Sequence, residues 1–353
     1  MAVFLKFVIS APINLPTLIL YYLCKKKMKK ILCLGNALVD VLVKIDDEII
    51  LQELGLPKGS MQLVDLDKSN ALIEGLGNIT KSLASGGAAG NTARGLGKLG
   101  IPVAYLGKVH PDEFGQLYRD DMMSHAVHPM LLEGLQPTGR ALAFISPDSE
   151  RTFATCLGAA VELVEDDLTL DSFKDVSILM IEGYLVFNHS LMMKAGKLAK
   201  ELGIKVALDM ASYNVVEANK DFLADYIKNY VDIVFANEEE ALALTGLYEE
   251  EALRKIAADC EIAVVKIGSR GSLIARNNEI TRIAPLQAVS KDTTGAGDLY
   301  ASGFLSGYYH GKNMETCGKM GSLLAGNVIE VIGTTMSEER WNNILSVYKG
   351  LFE

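Results

Sequence analysis

The sequence predicts an α/β protein with a mainly parallel sheet covered by helices on both faces, plus a small accessory sheet. Three observations lead there. Short apolar runs bounded by turn residues alternate with helical patterns along most of the chain, which requires right-handed crossovers and so parallel strands. Two regions, Val41 to Val64 and Ala141 to Cys156, break that rhythm with extended patterns that no helix separates from their neighbours. No Pro-, Gly- or Ser-rich linker divides the 353 residues, and no internal repeat is present.

The first strand, Ile31 to Leu34, is an apolar run that stops at Gly35-Asn36. Val41 to Ile49 and Met61 to Val64 follow it as extended segments, then residues 67–81 and 91–99 show helical spacing. Pro102 introduces the strand Val103 to Leu106. Ala141 to Cys156 reads as a hairpin around Ser146-Pro147-Asp148-Ser149. Strands at Ile178 to Glu182, Val206 to Asp209, Ile233 to Ala236 and Ala263 to Ile267 then alternate with helices over 189–203, 217–229 and 238–245. Helices over 297–310 and 314–331 complete the pattern.

Apolar residues make up 49% and charged residues 22%, which excludes a disordered or fibrous chain. The net charge of −10 argues against a general nucleic-acid surface. That charge is uneven: residues 1–30 hold six lysines and no acid, leaving 28 basic against 44 acidic residues, or −16, in the rest. Between Lys6 and Lys25 lie 18 uncharged residues interrupted by Pro12, Asn14 and Pro16, a poor membrane span. The lysines follow the apolar run instead of preceding it, unlike a secretory signal. Residues 1–27 are therefore expected to be an extension without function ahead of Met28, with a membrane anchor as the alternative; either leaves a cytoplasmic body. Cys24, Cys33, Cys156, Cys260 and Cys317 show no pairing framework, and His125 and His128 lack a third ligand. Oligomeric state is open between monomer and homodimer.

Two glycine motifs differ in context. Gly95-Leu-Gly97-Lys-Leu-Gly100 has dinucleotide-fingerprint spacing, but it ends a helix instead of opening one after a strand, so close packing and a C-cap are expected. Asp292-Thr293-Thr294-Gly295-Ala296-Gly297-Asp298 instead opens a helix. Unpaired N–H groups and the positive dipole end there suit a phosphate or oxyanion. Asp298 in the first turn either complements that dipole or accepts a proton from an attacking hydroxyl.

That heptapeptide resembles the C-terminal signature of the ribokinase-like (PfkB) carbohydrate kinases, and Ser85-Gly86-Gly87-Ala88-Ala89-Gly90-Asn91-Thr92-Ala93 resembles their N-terminal one. The resemblance spans essentially residues 28–353 and implies a three-layer αβα kinase domain, with lid strands from about 41–64 and 139–157. It implies ATP and Mg²⁺, with Asp298 as base and Gly295, Ala296 and Gly297 as the anion hole. Asn237 to Glu240 resembles the N-x-x-E motif that positions the metal through water, and is equally a capped acidic first turn. Lys266, Gly268 and Gly271 resemble the turn under the nucleotide, with Asn327 also expected on the ATP side. Asp292 and Thr294 match positions that bind a monovalent cation such as K⁺ in many members, with carbonyls near Ile332-Gly333.

On the acceptor side, Asn36 and Asp40 match the segment where an Asp grips two sugar hydroxyls, beside Gly86, Gly87 and Asn91. Arg151, within Glu150-Arg151-Thr152, resembles the lid arginine that approaches the transferred phosphate, and Gln62 the purine contact of adenosine-kinase-like members. Leu63, Phe144 and Phe153 suit either an apolar lid or a core. The expected activity is transfer to the 5′-hydroxyl of adenosine. The alternatives are a ribokinase- or fructokinase-like sugar kinase, and a catalytically silent regulatory or binding member.

Overall fold

A computed structural model describes residues 29–59, 61–77, 81–147 and 151–351. The expected extension over 1–27, and Asp148, Ser149 and Glu150 at the expected turn, lie outside the described residues. The strands in chain order are β1 (Lys30–Leu34), β2 (Leu38–Lys44), β3 (Met61–Leu63), β4 (Lys81–Ser85), β5 (Val103–Val109), β6 (Val127–Glu133), β7 (Gly139–Ile145), β8 (Arg151–Cys156), β9 (Val176–Glu182), β10 (Lys205–Asp209), β11 (Ile233–Asn237), β12 (Ile262–Lys266), β13 (Ser272–Arg276) and β14 (Glu279–Ile283).

Nine strands form the main sheet in the order β14-β13-β12-β11-β10-β9-β1-β5-β6. Pairing is parallel from β12 across to β6, and antiparallel only through β12, β13 and β14. Alternation within the strands supplies two cores. Ile31, Cys33, Ile178, Met180, Ile233 and Phe235 face one way, onto the helices at Ala296–Tyr309 and Met314–Val328. Leu32, Leu34, Leu179, Ile181 and Val234 face the other, onto the helices at His189–Glu201 and Lys220–Tyr230. Burial on both faces is why these strands read as unbroken apolar runs.

The second sheet has five strands, β3-β8-β7-β2-β4, and β7 and β8 form the expected antiparallel hairpin. One face packs Val41, Val43, Leu142, Phe144 and Ala154 against Leu72 of the helix Leu66–Gly75. Phe144 is therefore core.

Several expectations shift. The helix expected over 67–81 ends at Gly75, and its last residue belongs to β4. The extended reading of Val41 to Ile49 moves to Leu38–Lys44, because Asp47 accepts from the Ile49 N–H and a short helix starts there. The helix expected over 217–229 divides into Tyr213–Ala218 and Lys220–Tyr230, where Asn219 turns its side-chain amide back onto the Val215 carbonyl. Gly95 and Gly97 lie inside the helix Ala88–Lys98, with Gly100 left-handed just beyond it at φ +78°. A Cβ at Gly95 would meet the Ser302 hydroxyl, so that triplet serves close packing, as its position in the sequence suggested.

Candidate active site

Five parallel strands deliver a polar group at or just past their carboxyl ends: Asn36 after β1, Glu182 ending β9, Asp209 ending β10, Asn237 ending β11 and Lys266 ending β12. Register makes Glu182 and Asp209 neighbours, and likewise Asn237 and Lys266. Ligands in open α/β sheets bind above this edge. Here a cavity of about 1030 Å³ opens, whose lining includes Asn36, Asp40, Gly87, Asn91, Glu182, Asp209, Thr294 and Asp298.

Asp298 sits in the first turn of the helix Ala296–Tyr309. Its carboxylate accepts from the Asn91 side-chain amide at 2.9 Å, so the two glycine signatures meet. Burial, helped by the Asp209 charge and opposed by the Asn91 bond and Lys266, pushes its pKa up to about 8. Gly295 precedes the helix in the left-handed region at φ +73°, and a Cβ there would lie 2.4 Å from Thr334 Cγ2. Only glycine fits that turn. The Ala296 N–H donates to the Thr293 carbonyl at 3.1 Å, which turns one of the three expected anion-hole amides inward.

Lys266 donates to Asp209 at 3.1 Å, and its Nζ would stand 2.8 Å from a Cβ at Gly297. A cation thus reaches the helix N-terminus at Gly297. Burial opposes its charge, yet Asp209 and Glu240 hold the ammonium above its usual value. Asn237 and Glu240 form a reciprocal cap: the Asn237 side chain accepts from the Glu240 N–H at 2.8 Å, and Glu240 accepts from the Asn237 N–H at 2.7 Å. Burial pushes the Glu240 carboxyl up to about 7. Gly268 and Gly271, both at positive φ, close the turn between β12 and β13.

At the acceptor end Asp40 lies on β2 over Gly86, where a Cβ would fall 2.2 Å from its carboxylate. Burial raises Asp40 to about 6 against the pull of Arg94 and Arg151. Asn36 donates to Glu182 at 2.8 Å, and Glu182 also accepts the Ala89 N–H at 3.0 Å. One buried carboxylate therefore ties β9 to the first turn of the helix Ala88–Lys98. Its own pKa is raised, by burial first.

Not every expected residue joins this group. Gln62 pairs with Ala154 on the core face of the smaller sheet, whereas Leu63, Phe153 and Thr155 line the cavity; one step along the pleat removes Gln62 from it. Asn327 bonds to the Leu323 carbonyl and to Arg340, away from the cavity. Arg151 pairs with Asp292 and is not among the residues lining the cavity. Sequence reasoning missed Glu182, Asp209 and Arg94. The first two were legible as acids ending apolar strands. Arg94, which donates to Asn91 at 2.6 Å and Thr334 at 2.7 Å, left no such signal.

The donor set decides which ions fit. Among the described residues no cluster of three His, Cys, Asp or Glu side chains could hold a metal directly. Glu240 stands beside the Asp209–Lys266 pair, but it is buried and both its oxygens accept from Asn237, so Mg²⁺ there would be held only through water and substrate phosphates, the usual manner for that ion. At Asp292 and Thr294 a monovalent cation would compete with the Arg151 guanidinium for the same carboxylate. Asp292 Oδ2 already takes Arg151 and the Gly333 N–H, and Oδ1 takes the Thr294 N–H at 3.0 Å.

Fold and site together define a small-molecule kinase. A family described as pfkB family carbohydrate kinase matches residues 77–341. The fold superimposes on a probable sugar kinase from Rhizobium etli with TM-score 0.83 and 35% identity, covering 92% of this chain and 99% of that one. For the adenosine kinase from Sinorhizobium meliloti the values are 0.82 and 36%, covering 91% and 99%. The adenosine kinase of Saccharomyces cerevisiae is 28% identical over 87% of this chain and 96% of its own length. The chain belongs to the pfkB family of carbohydrate kinases. It is a sugar or nucleoside kinase, and membership implies ATP as the phosphoryl donor. Among the described residues no helix is long and apolar enough to cross a membrane.

Proposed function

We propose that the chain phosphorylates the 5′-hydroxyl of a purine ribonucleoside, with adenosine as the preferred acceptor. The observation that carries this reading is the size and lining of the cavity. Its volume of about 1030 Å³ is more than one sugar ring fills, and Leu63, Phe153, Val161 and Phe187 line it together with Asp40, Asn36 and Asp298. Apolar walls with a few polar anchors suit a flat base attached to a ribose. The 36% identity to the Sinorhizobium meliloti adenosine kinase supports the same choice. The Rhizobium etli relative named a probable sugar kinase supports the second reading, a free sugar as acceptor.

In the proposed mechanism Asp40 accepts from two vicinal hydroxyls, with Asn36 and Asn91 beside it and Glu182 holding Asn36. This directs the 5′-hydroxyl at Asp298. The new O5′–Pγ bond forms as the bond from Pγ to the β-phosphate oxygen breaks; Asp298 takes the hydroxyl proton and ADP leaves. N–H groups of Gly295 and Gly297, together with Lys266, meet the negative charge of the moving phosphoryl group. Glu240 would hold Mg²⁺ through water, and the ion would supply neutralisation of phosphate charge. The smaller sheet acts as a lid that excludes water.

The test is product analysis with Mg-ATP and adenosine. Stoichiometric ADP and adenosine 5′-monophosphate are expected, with no phosphate transfer to 5′-deoxyadenosine. A product phosphorylated at the 2′ or 3′ position would overturn the assignment.

A further inference from the structure

We infer that the Arg151 guanidinium serves this kinase as a built-in monovalent cation for the anion-hole loop, making its activity independent of potassium. The inference concerns phosphoryl transfer and rests on Asp298 and its loop being the catalytic end of the site.

Asp292 opens the loop that leads into the helix of Asp298. Its carboxylate is almost fully enclosed, with 6% of the side chain exposed, and a buried carboxylate requires a counter-charge. Arg151, itself 9% exposed and the first residue of β8, supplies one by donating to Oδ2. Two backbone amides take further acceptor sites of the same carboxylate. Gly333 N–H donates to Oδ2 at 2.6 Å and Thr294 N–H to Oδ1 at 3.0 Å. The Lys291 N–H donates to the Ile329 carbonyl at 2.7 Å, so the loop before Asp298 and the segment 329–333 are already joined.

A monovalent ion placed there would have to displace the guanidinium or sit beside it as a second positive charge. The arginine does what such an ion would do: it neutralises Asp292 and fixes the loop that leads to Gly295. Because it comes from the smaller sheet, it also fastens that sheet to the loop. Its charge is felt at Asp40 as well, where it opposes the effect of burial. Arg151 is thus a positioning residue acting through Asp292 on the loop.

The experiment compares chloride salts of K⁺ and tetramethylammonium at equal ionic strength, with two readouts: steady-state rate and melting temperature. Wild-type protein should show the same values in both salts. Arg151→Gln should lose rate and melting temperature, and K⁺ alone should restore both in part, with the rate recovering about tenfold as the ion replaces the lost buried charge. Arg151→Lys, which keeps the charge, should stay indifferent to K⁺. Activation of the wild type by K⁺ overturns the inference, as does an Arg151→Gln protein whose rate and melting are the same in both salts. Should that variant not fold, the wild-type comparison and Arg151→Lys still decide. Wild-type protein without kinase activity in either salt would instead count against the kinase reading itself.

Discussion

Replacing Asn91 with alanine isolates the hydrogen bond that tempers the acidity of Asp298. With a pKa near 8, about one wild-type molecule in ten carries the ionised base at pH 7. The 2.9 Å bond from the Asn91 amide favours the charged form. A hydrogen bond to a charged acceptor is worth about 1.5–3 kcal/mol, and at about 1.4 kcal/mol per unit its loss raises Asp298 by about one to two units. The sign follows: a higher pKa keeps the base protonated over a wider range, so the acid limb of the pH profile moves to higher pH. At pH 7 kcat/KM should fall by about one to two orders of magnitude from this cause, and the deficit should narrow as pH approaches 10. The assay is kcat/KM for the acceptor from pH 6 to 10. A loss of equal size at every pH, with the midpoint unmoved, would refute the reasoning and make Asn91 only a substrate contact.

Other consequences are equally specific. Asp298→Asn should lower kcat by about two to four orders of magnitude, the scale of a lost general base. It should also raise the melting temperature at pH 8. The folded protein holds the Asp298 proton above the pH at which the unfolded chain releases it, so stability falls as pH rises from about 4 to 8; asparagine removes that penalty, and calorimetry at both pH values checks it. Acceptor affinity should weaken as pH falls through about 6, where Asp40 gains a proton, and isothermal titration between pH 5 and 8 should show this while Asp40→Asn removes the dependence. Gly295→Ala should lower stability by about 1–3 kcal/mol through a strained φ and a clash with Thr334, readable by denaturant unfolding.

The legibility of this molecule in its sequence follows from where each feature draws its stability. Strands β1 and β9 to β12 were readable because both faces are buried over most of their length, which leaves apolar runs such as Ile178 to Ile181 without a polar interruption. The edge strand β6 was not, since its partly buried residues mix with His128, Pro129 and Glu133. The two glycine signatures placed Asp298 and Asn91, but not their contact, which joins residues 207 positions apart. Glu182 and Asp209 were printed as strand ends, and their roles appear only when register sets them side by side. Arg151 was found by resemblance, yet its partner depends on how the smaller sheet seats on the loop, which no local pattern encodes.

The central claim is that the cavity selects a nucleoside over a free sugar. Its most direct test is kcat/KM measured side by side with adenosine, inosine, ribose and fructose under Mg-ATP. The account predicts adenosine first, by at least about two orders of magnitude over ribose, because a free sugar leaves the apolar wall uncovered. Ribose or fructose turning over as well as adenosine, or better, would contradict it.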